Sequence, residues 1–377
     1  MKKIVIVVSS SGTIKAALTE QIEALSRNFL VSVVLNSPEG ETFPYLNAKV
    51  EIIRAPIVRN ISVLHDLRGL LFLVALFSRR RFDAVHSFTP KAGLLAALAG
   101  TLTGIPVRIH TFTGQVWVTS SGISRHLLKG LDKVIARLTT HILVDSPSQR
   151  DFLIAEGVLS EKKSRVLANG SICGVDTSRF RSDAESKRRI RQNEGIPDDA
   201  LLFLFVGRLK VDKGLLDLTQ AFVRIASTCQ EAWLLIVGPD EEDLRPRLEM
   251  ICAAVSSRVR FVGLTDAPQN YMAAADVFCL PSYREGFGSV IIEAASAGLP
   301  AVASKIYGIT DAVEPGSTGL LHAPGDVDSL QSAMQRMIDD PLLRKDLGSA
   351  ARLRAHRLFP KELVTAAVVE FYNSVVR

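Results

Sequence analysis

Two basic residues, Arg208 and Lys213, occupy the segment GRLKVDKG, residues 207–214, between an apolar run and a helical pattern. A cationic pair near the start of a helix can hold a diphosphate by its charge, assisted by the free backbone N–H groups of the first helical turn. Gly207 and Gly214 bracket the pair. The same residues also suit an ordinary surface turn, so the segment alone leaves both interpretations open.

Two glutamates stand eight positions apart in REGFGSVIIEAASAGLP, residues 284–300. Glu285 precedes Gly286 and Gly288, which let the backbone approach a ligand closely, and a helix beginning just after them would offer N–H groups to a phosphate. Glu293 needs a polar partner if it is buried, because an unpaired buried carboxylate is costly. Sugar or ribose hydroxyls are such partners, and an outward-facing acid near a helix N-terminus is the alternative.

The elements that must position these loops are strands and helices in alternation. Short apolar runs such as KIVIVVS, LVSVVLN, VRIHTF, LLFLFVGRL and AWLLIVGP are separated by longer helical patterns, which predicts parallel sheets covered on both faces. A polar segment, residues 179–200, separates two such halves. The sequence therefore predicts α/β architecture with two doubly wound, Rossmann-like domains, 1–178 and 179–360, whose strand ends face a shared cleft. A C-terminal helix at about 361–377 can pack back on the first domain.

Composition and net charge indicate the class of protein and the kind of partner. The chain of 377 residues is 47% hydrophobic and 22% charged, typical of a globular protein. Residues 1–180 contain 22 Lys+Arg and 13 Asp+Glu, a net charge of +9, so the total of +6 leaves the remainder slightly acidic. The basic half favours an anionic partner, such as a phosphorylated substrate or an acidic lipid surface, unless the charges are scattered by chance.

Cysteine usage and two apolar segments bear on location. The four cysteines occur singly, which predicts a reducing, cytoplasmic setting with neither a zinc site nor a disulfide scaffold. The N-terminal MKKIVIVVSSSG is too short a run for a signal peptide and predicts a first strand. The apolar core of residues 67–83 is far shorter than the roughly 20 residues of a membrane span. It predicts a packed helix with a basic last turn, whose arginines 79–81 are candidates for membrane contact.

The ordered set of motifs resembles the retaining glycosyltransferases of the GT-B fold, specifically family 4. The family signatures G-R-L-x-x-x-K-G and E-G-F-G-x-x-x-x-E-A-x-A-x-G-x-P correspond to GRLKVDKG and EGFGSVIIEAASAGLP. The interdomain motif N-G-V-D-x-x-x-F corresponds, with extra residues, to ANGSICGVDTSRF, residues 168–180. The resemblance covers nearly the whole chain.

The resemblance implies a role for each matching residue. Arg208 and Lys213 would bind the diphosphate of a nucleotide-sugar and act with Glu285 in catalysis, Glu285 contacting hydroxyls of the transferred sugar. Glu293 would accept hydrogen bonds from the ribose. The full implied donor-binding set is Gly12, Gly207, Arg208, Lys213, Leu264, Thr265, Glu285, Gly286, Phe287, Gly288 and Glu293. No metal and no other cofactor is implied.

One departure from the family pattern concerns the loop after a strand of the first domain. Many relatives have T-x-H-G there, with a histidine close to the donor sugar, whereas HTFTG places Thr113 at that position. Threonine is no general base at neutral pH, which suits a retaining reaction in which the leaving diphosphate takes the acceptor's proton. His110 or His126 as a substitute is the alternative, although a single strand histidine is more often structural. Together with Lys91, His110 and Thr113 form the predicted acceptor side.

Within the family, HTFTGQVW and the basic N-terminal half look most like bacterial enzymes of surface-polysaccharide assembly. That implies a UDP-sugar donor and a saccharide acceptor on polyprenyl diphosphate, in lipopolysaccharide, O-antigen or capsule synthesis, with peripheral membrane contact and no nucleic acid. Lys91, Arg125 and Lys129 would lie near acceptor phosphate or lipid headgroups. A GT-B UDP-sugar epimerase is the main alternative. A dinucleotide-dependent oxidoreductase is disfavoured because the first strand is not followed by G-x-G-x-x-G.

Overall fold

The computed structural model describes residues 1–58 and 62–377, which form two compact units. One unit consists of residues 1–173 and 361–377, and the other of residues 174–360. The sequence-based boundary after residue 178 lies five residues beyond the end of the first segment. The final helix belongs to the first unit.

The strands are short and, in both units, rich in valine, isoleucine and leucine. In chain order they are β1 (Lys3–Val7), β2 (Leu30–Leu35), β3 (Glu51–Arg54), β4 (Ala84–Ser87), β5 (Val107–Phe112), β6 (His141–Val144), β7 (Ser164–Arg165), β8 (Leu201–Val206), β9 (Ala232–Val237), β10 (Val259–Val262), β11 (Val277–Leu280), β12 (Ala301–Ser304) and β13 (Gly319–His322).

Helices separate nearly all of these strands. In chain order they are α1 (Ser11–Thr13), continued by a π turn (Ile14–Leu18) into α2 (Thr19–Leu25), α3 (Val63–Arg80), α4 (Pro90–Leu102), α5 (Gly122–Leu138), α6 (Pro147–Ala155), α7 (Ala184–Glu194), α8 (Leu215–Ala226), α9 (Arg245–Ile251), α10 (Pro268–Ala274), α11 (Ser289–Ser296), α12 (Ile309–Ala312), α13 (Val327–Asp339), α14 (Pro341–Leu358) and α15 (Lys361–Val375). Short 3₁₀ turns lie at Val116–Thr119, Val211–Lys213 and Ala253–Arg258.

Both sheets are parallel throughout, as the alternating pattern predicts. The first has the strand order β3-β2-β1-β4-β5-β6-β7, and the second has the order β10-β9-β8-β11-β12-β13. Each order reverses direction beside its first strand in the chain, β1 or β8. Loops at the carboxyl edge beside such a reversal form the ligand sites of doubly wound sheets. The predicted site loops follow β8, β10 and β11, at this edge of the second sheet.

The final helix completes the core of the first unit. Val368, Phe371 and Tyr372 of α15 are buried in the same apolar cluster as β1 and α2. The Tyr372 hydroxyl lies 2.7 Å from Nδ1 of buried His86, whose Nε2 lies 2.7 Å from the hydroxyl of Thr111. Burial lowers the pKa of His86 well below its ordinary value. The return of the last helix to the first unit is therefore fixed by both packing and hydrogen bonding.

Two segments bear on the earlier expectations. The polar segment 179–200 contains α7, which Asp183 and Gly195 cap, and its Arg191 is buried in an ion pair with Asp276 at 2.7 Å. Most of the apolar segment 67–83 lies in α3, which ends at Arg80 and carries two arginines in its last turn, as predicted. Among residues 1–58 and 62–377, no helix combines the length and the hydrophobicity needed to cross a bilayer.

Candidate active site

The basic loop after β8 is held against the acidic loop after β11 by a close backbone approach. Gly214 has φ +70°, and a Cβ at this position would lie 2.0 Å from the carbonyl oxygen of Pro281. The Tyr283 N–H donates to the Asp212 carbonyl oxygen at 2.9 Å. Only glycine fits position 214 without moving one of the loops. The GRLKVDKG pattern therefore requires its last glycine for the docking of these two loops.

Lys213 and Glu285 form the central contact of the site. The Lys213 Nζ donates to Glu285 Oε1 at 2.5 Å, and both side chains are largely buried, with 17% and 14% of their surface exposed. The hydroxyl of Ser282 donates to the same oxygen at 2.9 Å. Two of the three predicted catalytic residues are thus in direct contact. Lys213 and Glu285 neutralise each other in this pair, so a ligand that binds one side chain has to displace the other.

Further ion pairs surround this contact. Arg208 Nη1 lies 3.0 Å from Glu241 Oε2. The cations Lys210 and Arg284 are also paired, and their partners are Glu242 and Asp212. Each of these basic side chains faces a carboxylate in the described structure. Glu241 lies in the loop after β9, and its pairing with Arg208 was not predicted from the sequence.

A buried hydrogen bond joins the acidic loop to helix α8. The hydroxyl of Tyr283 donates to Oδ2 of Asp217, a buried residue in the first turn of α8, at 2.6 Å. Burial and the neighbouring Asp217 carboxylate raise the pKa of Tyr283 to about 12, so the phenol keeps its proton. The bond ties Glu285 to the helix that follows Lys213. Sequence reasoning missed this pair, since an aspartate in a first helical turn usually interacts with its own helix.

The helix after the two glycines begins as the motif predicts. Gly288 has φ +79° and is the N-cap of α11. Phe287 is buried and packs edge-on against Phe359 at 5.2 Å between ring centroids, so its backbone is fixed. Gly286 is buried beside Gly308, where a Cβ would lie 2.5 Å from the Gly286 carbonyl oxygen. The loop is rigid on both sides and brings the N-terminus of α11 to the carboxyl edge of the sheet.

Glu293 lies one turn into α11, between the buried residues Ile292 and Ala294. It retains some accessible surface, yet burial raises the pKa of its carboxyl from 4.5 to about 7, and the charge of Arg179 opposes that increase. No hydrogen bond to this carboxylate is found among the described residues. Arg179, which belongs to the interdomain motif, itself donates to the Asp266 carbonyl oxygen at 2.8 Å. The predicted need of Glu293 for a polar partner is therefore not met by the protein.

The loop after β10 contains the residues predicted beside the nucleobase. The side chain of Leu264 is 79% exposed, and the hydroxyl of Thr265 accepts a hydrogen bond from the Ala267 N–H at 3.1 Å. Asp266, the next residue, accepts the hydrogen bond from Arg179 at its carbonyl oxygen. Leu264 is thus an exposed apolar side chain in a loop that is hydrogen-bonded to Arg179, whose charge acts on Glu293.

The first unit carries the remaining predicted residues at the carboxyl edge of its sheet. Gly12 lies in α1, and a Cβ there would meet only the Ser10 hydroxyl at 3.9 Å, so the surface at this position is open. Thr113 follows β5, and its carbonyl oxygen accepts from the buried Gln149 side chain at 2.6 Å. Thr113 thus lies in a loop that follows a strand, whereas Gly12 lies in the short helix that follows β1.

The histidine and the lysine of the predicted acceptor side have partners within the protein. His110 is buried at the end of β5, with Nδ1 2.9 Å from the hydroxyl of Ser87, and burial lowers its pKa to about 3. Its ring lies where a Cβ on Gly93 would be, at 2.4 Å. A neutral, enclosed ring favours the structural role for His110. Lys91 pairs with Asp66 at 2.6 Å.

A separate cavity of about 290 Å³ lies elsewhere in the second unit. Its lining includes Asp276 and Pro300, which immediately precede β11 and β12, so it lies at the amino edge of the sheet. None of the predicted site residues lines it. Within the described parts of the chain, histidine, cysteine, aspartate and glutamate side chains nowhere gather in threes where a metal ion could bind.

The two doubly wound parallel-sheet units have the architecture of the GT-B class of glycosyltransferases. Family models agree with this assignment. Residues 12–170 match the glycosyl transferase 4-like domain, and residues 186–354 match glycosyl transferases group 1. The chain belongs to these glycosyltransferases, and the family and fold predicted from its motifs are confirmed.

Curated relatives match over most of their length. The capsular polysaccharide biosynthesis glycosyltransferase CapM of Staphylococcus aureus is 28% identical over 95% of this chain and 93% of its own. The UDP-Gal:alpha-D-GlcNAc-diphosphoundecaprenol alpha-1,3-galactosyltransferase of Escherichia coli is 28% identical over 88% of this chain and 86% of its own.

Solved structures share the fold. Sucrose-phosphate synthase from Thermosynechococcus elongatus superposes with a TM-score of 0.82 and 24% identity over 99% of both chains. HepE of Anabaena, in complex with UDP and glucose, superposes with a TM-score of 0.81 and 20% identity, over 99% of this chain and all of HepE. At such identities these likenesses establish architecture alone.

Proposed function

We propose that the chain is a retaining glycosyltransferase of bacterial surface-polysaccharide synthesis, acting on a UDP-sugar and on a saccharide acceptor carried by polyprenyl diphosphate. The observation that carries the proposal is the contact of Lys213 with Glu285, which brings the basic loop that contains Arg208 against the acidic loop that precedes α11. The relatives point to the biological setting, since one is named for capsular polysaccharide and another for a diphosphoundecaprenol-linked acceptor. HepE binds UDP and UDP-glucose, which supports the choice of donor.

The proposed reaction uses charge in place of a metal. The bond between the anomeric carbon and the β-phosphate oxygen breaks, and negative charge grows on the departing UDP. Arg208 and Lys213 stabilise that charge, which is the interaction expected to change most between ground state and transition state. The acceptor hydroxyl bonds to the anomeric carbon on the same face, and its proton passes to the departing diphosphate. Neither Thr113 nor a histidine need accept that proton.

Glu285 and Glu293 have separate roles in this proposal. Glu285 accepts hydrogen bonds from hydroxyls of the donor sugar and is oriented by Ser282. Glu293 accepts hydrogen bonds from ribose hydroxyls, which would end the cost of its unpartnered carboxylate. Gly286, Phe287 and Gly288 present backbone groups to sugar or phosphate, and the exposed Leu264 lies by the base. Gly12 leaves room for the diphosphate, and the enzyme works at the cytoplasmic face of the membrane.

The proposal is tested by incubating the protein with UDP- and GDP-sugars and a short-chain polyprenyl diphosphate saccharide. We expect transfer from a UDP-sugar, with the anomeric configuration of the donor kept in the product by NMR, and full activity in a chelator. Inversion of configuration, or activity that returns only with magnesium, would refute the retaining or metal-free part. Epimerisation of the UDP-sugar without acceptor would favour the epimerase alternative.

The site assignment has a matched control in the same loops. Lys213→Ala and Glu285→Ala are each expected to lower kcat by about a hundredfold or more, since each removes a group acting on the reacting donor. Lys210→Ala and Glu242→Ala break a neighbouring ion pair, 2.8 Å long, that has no proposed role, and should retain most activity. Equal losses in both pairs would show that the loops matter only as a folded unit.

A further inference from the structure

Cations from two helices line the cavity of about 290 Å³ at the amino edge of the second sheet. Lys187 belongs to α7, whereas Arg344 and Lys345 lie near the start of α14. The volume is close to the lower end of the roughly 300–1,000 Å³ range of small-molecule pockets. The cavity is therefore large enough for a small organic molecule, and its cations favour a negatively charged one.

Positive charge exceeds negative charge in the lining of the cavity. Within the described chain this lining contains three cations and one acid, Asp276, which leaves an excess of two positive charges. Both oxygens of Asp276 are already occupied. Oδ1 lies 3.3 Å from Lys187 Nζ, and Oδ2 lies 2.7 Å from Nη2 of the buried Arg191. Asp276 therefore does not neutralise the two cations of α14.

The two cations of α14 are held differently. Arg344 is half-buried, and its Nη1 donates to the carbonyl oxygen of Met337, which orients the guanidinium group. A guanidinium group has five N–H donors, so most of them remain for a ligand. Lys345 is exposed, and its ammonium group has neither an ion pair nor a hydrogen bond within the described residues. The cavity thus offers an oriented arginine and an unpaired lysine to an anion.

Buried apolar side chains form another part of the lining. Met272, Leu299 and Pro300 are buried, and the exposed Ser182 adds a hydroxyl group. Small-molecule sites combine an apolar lining with a few polar groups that fix the orientation of the ligand. An inorganic anion would leave the apolar part of this lining uncovered. A sugar phosphate has C–H groups that can pack on it and hydroxyls that can bond to Ser182.

The cavity and the proposed donor site lie at opposite ends of helix α11. The N-cap of α11, Gly288, follows the acidic loop, and residues 297–300, which come directly after the last turn of the helix, line the cavity. The 8 residues of α11 span about 12 Å, at 1.5 Å per residue. A ligand in the cavity therefore uses other residues than a nucleotide-sugar at the donor loops, and both can be bound at once.

We propose that this cavity binds a small sugar phosphate, at a site separate from the donor site. The phosphate accepts hydrogen bonds from Arg344, Lys345 and Lys187, and the sugar ring packs on Met272 and Leu299. A phosphate monoester carries a charge of about −1.5 to −2 at pH 7, which matches the excess of positive charge in the lining. A carboxylate carries half as much, and a metal cation would be repelled. The inference does not depend on the proposed function.

The test is calorimetric titration of the full-length protein with ribose 5-phosphate in a phosphate-free buffer, with and without saturating UDP. We expect one site per chain whose Kd is the same in both conditions. Inorganic phosphate should bind at least tenfold more weakly, and ribose should not bind.

A substitution in α14 has a matched control in the same helix. Lys345→Gln should raise the Kd for ribose 5-phosphate by about tenfold, since a hydrogen bond between charged groups contributes about 1.5–3 kcal/mol. Lys345 is exposed and unpaired, so its replacement leaves the fold intact. Arg352→Gln removes another exposed cation of α14, one that does not line the cavity, and should bind like wild type. Amide hydrogen exchange should slow at residues 297–299 and 342–345 when ribose 5-phosphate binds, and should stay unchanged at 207–214.

Each contrary outcome overturns a stated part of the proposal. Absence of binding, or an equal loss of affinity in Lys345→Gln and Arg352→Gln, would overturn the site itself. Displacement of ribose 5-phosphate by UDP would assign the binding to the donor loops and also overturn it. Inorganic phosphate that binds as tightly as ribose 5-phosphate would overturn the sugar part. Sugar transfer by a protein that does not bind ribose 5-phosphate would refute this inference alone, whereas binding by a protein that transfers no sugar would refute the proposed function alone.

Discussion

Replacing Glu293 by glutamine tests whether a desolvated, unpartnered carboxylate is held in the proposed donor site. Raising a carboxyl pKa from 4.5 to about 7 costs the folded state about 3 kcal/mol once the pH is well above 7, at 1.36 kcal/mol per pH unit. The sign follows from proton binding. Between pH 4.5 and pH 7 the folded protein holds a proton that the unfolded chain has released, so this group lowers stability progressively as the pH rises through that range.

Glu293→Gln should therefore stabilise the ligand-free protein, and more at high pH than at low pH. We expect a gain of about 3 kcal/mol at pH 8 and about 1 kcal/mol at pH 5 in urea unfolding, because glutamine is never charged. Glu249→Gln is the control, since Glu249 is half-exposed in a surface pair with Arg245 and should change stability by a few tenths of a kcal/mol. A pH-independent effect, or a loss of stability, would refute a desolvated carboxylate at 293.

The same substitution should weaken the binding of UDP. Hydrogen bonds to a charged acceptor contribute about 1.5–3 kcal/mol, so replacing the carboxylate by a neutral amide is expected to raise the Kd for UDP by roughly tenfold. Calorimetric titration of UDP at pH 8 measures this. A protein that becomes more stable while it binds UDP less well would show that Glu293 is kept for the ligand. Unchanged UDP affinity would leave the stability result standing and remove the ribose role.

Three further substitutions address the loops of the site. Tyr283→Phe deletes the hydrogen bond to a buried carboxylate and should lower the free energy of unfolding by about 1–3 kcal/mol. We expect kcat to fall by more than any change in KM. An unaltered kcat would show that this hydrogen bond has no part in catalysis. Gly214→Ala should cost more than about 2 kcal/mol because its Cβ meets a carbonyl oxygen, whereas Gly263→Ala, with no atom within 4 Å, should be nearly neutral in thermal unfolding. Glu241→Gln frees Arg208 and should tighten UDP binding several-fold by calorimetry, and weaker binding would show that the pair orients the arginine.

The fold was predictable because its signal is local and repeated. Apolar runs such as residues 201–206 are buried on both faces, and such runs are the signature of parallel strands. The elements that escaped prediction lack that signal. Strand β7 has two residues, and β3, EIIR, is only partly buried at an edge. Helix α7 was not predicted because nearly all its residues are polar and show no apolar periodicity. The caps Asp183 and Gly195 mark its ends instead.

The sequence predicted that the loops of the candidate site lie at one edge of the second sheet, and it did not predict the contacts between them. Loop position after strands brought Lys213 and Glu285 to the same edge, and the glycines indicated a close backbone approach. Their mutual ion pair, however, joins residues 72 positions apart and depends on the docking of two loops at Gly214. The same holds for Arg179, whose influence on Glu293 arises from a segment more than a hundred positions earlier. Spacing within one motif carries no information about such pairings.

These pairings change the physical meaning of the basic loop. Sequence alone suggests a cluster of positive charge waiting for a diphosphate, yet the cations of the site loops are matched by carboxylates: Arg208 by Glu241, Lys210 by Glu242, Lys213 by Glu285 and Arg284 by Asp212. Each cation and its carboxylate together carry no net charge. The site therefore attracts a distant anion only weakly, and salt screens what attraction remains beyond a Debye length. If the proposed function holds, donor binding is an exchange in which phosphate oxygens replace carboxylate oxygens on Arg208 and Lys213. Glu285 would then be released to accept from the donor sugar only when the diphosphate is in place, which would couple recognition of the sugar to recognition of the nucleotide.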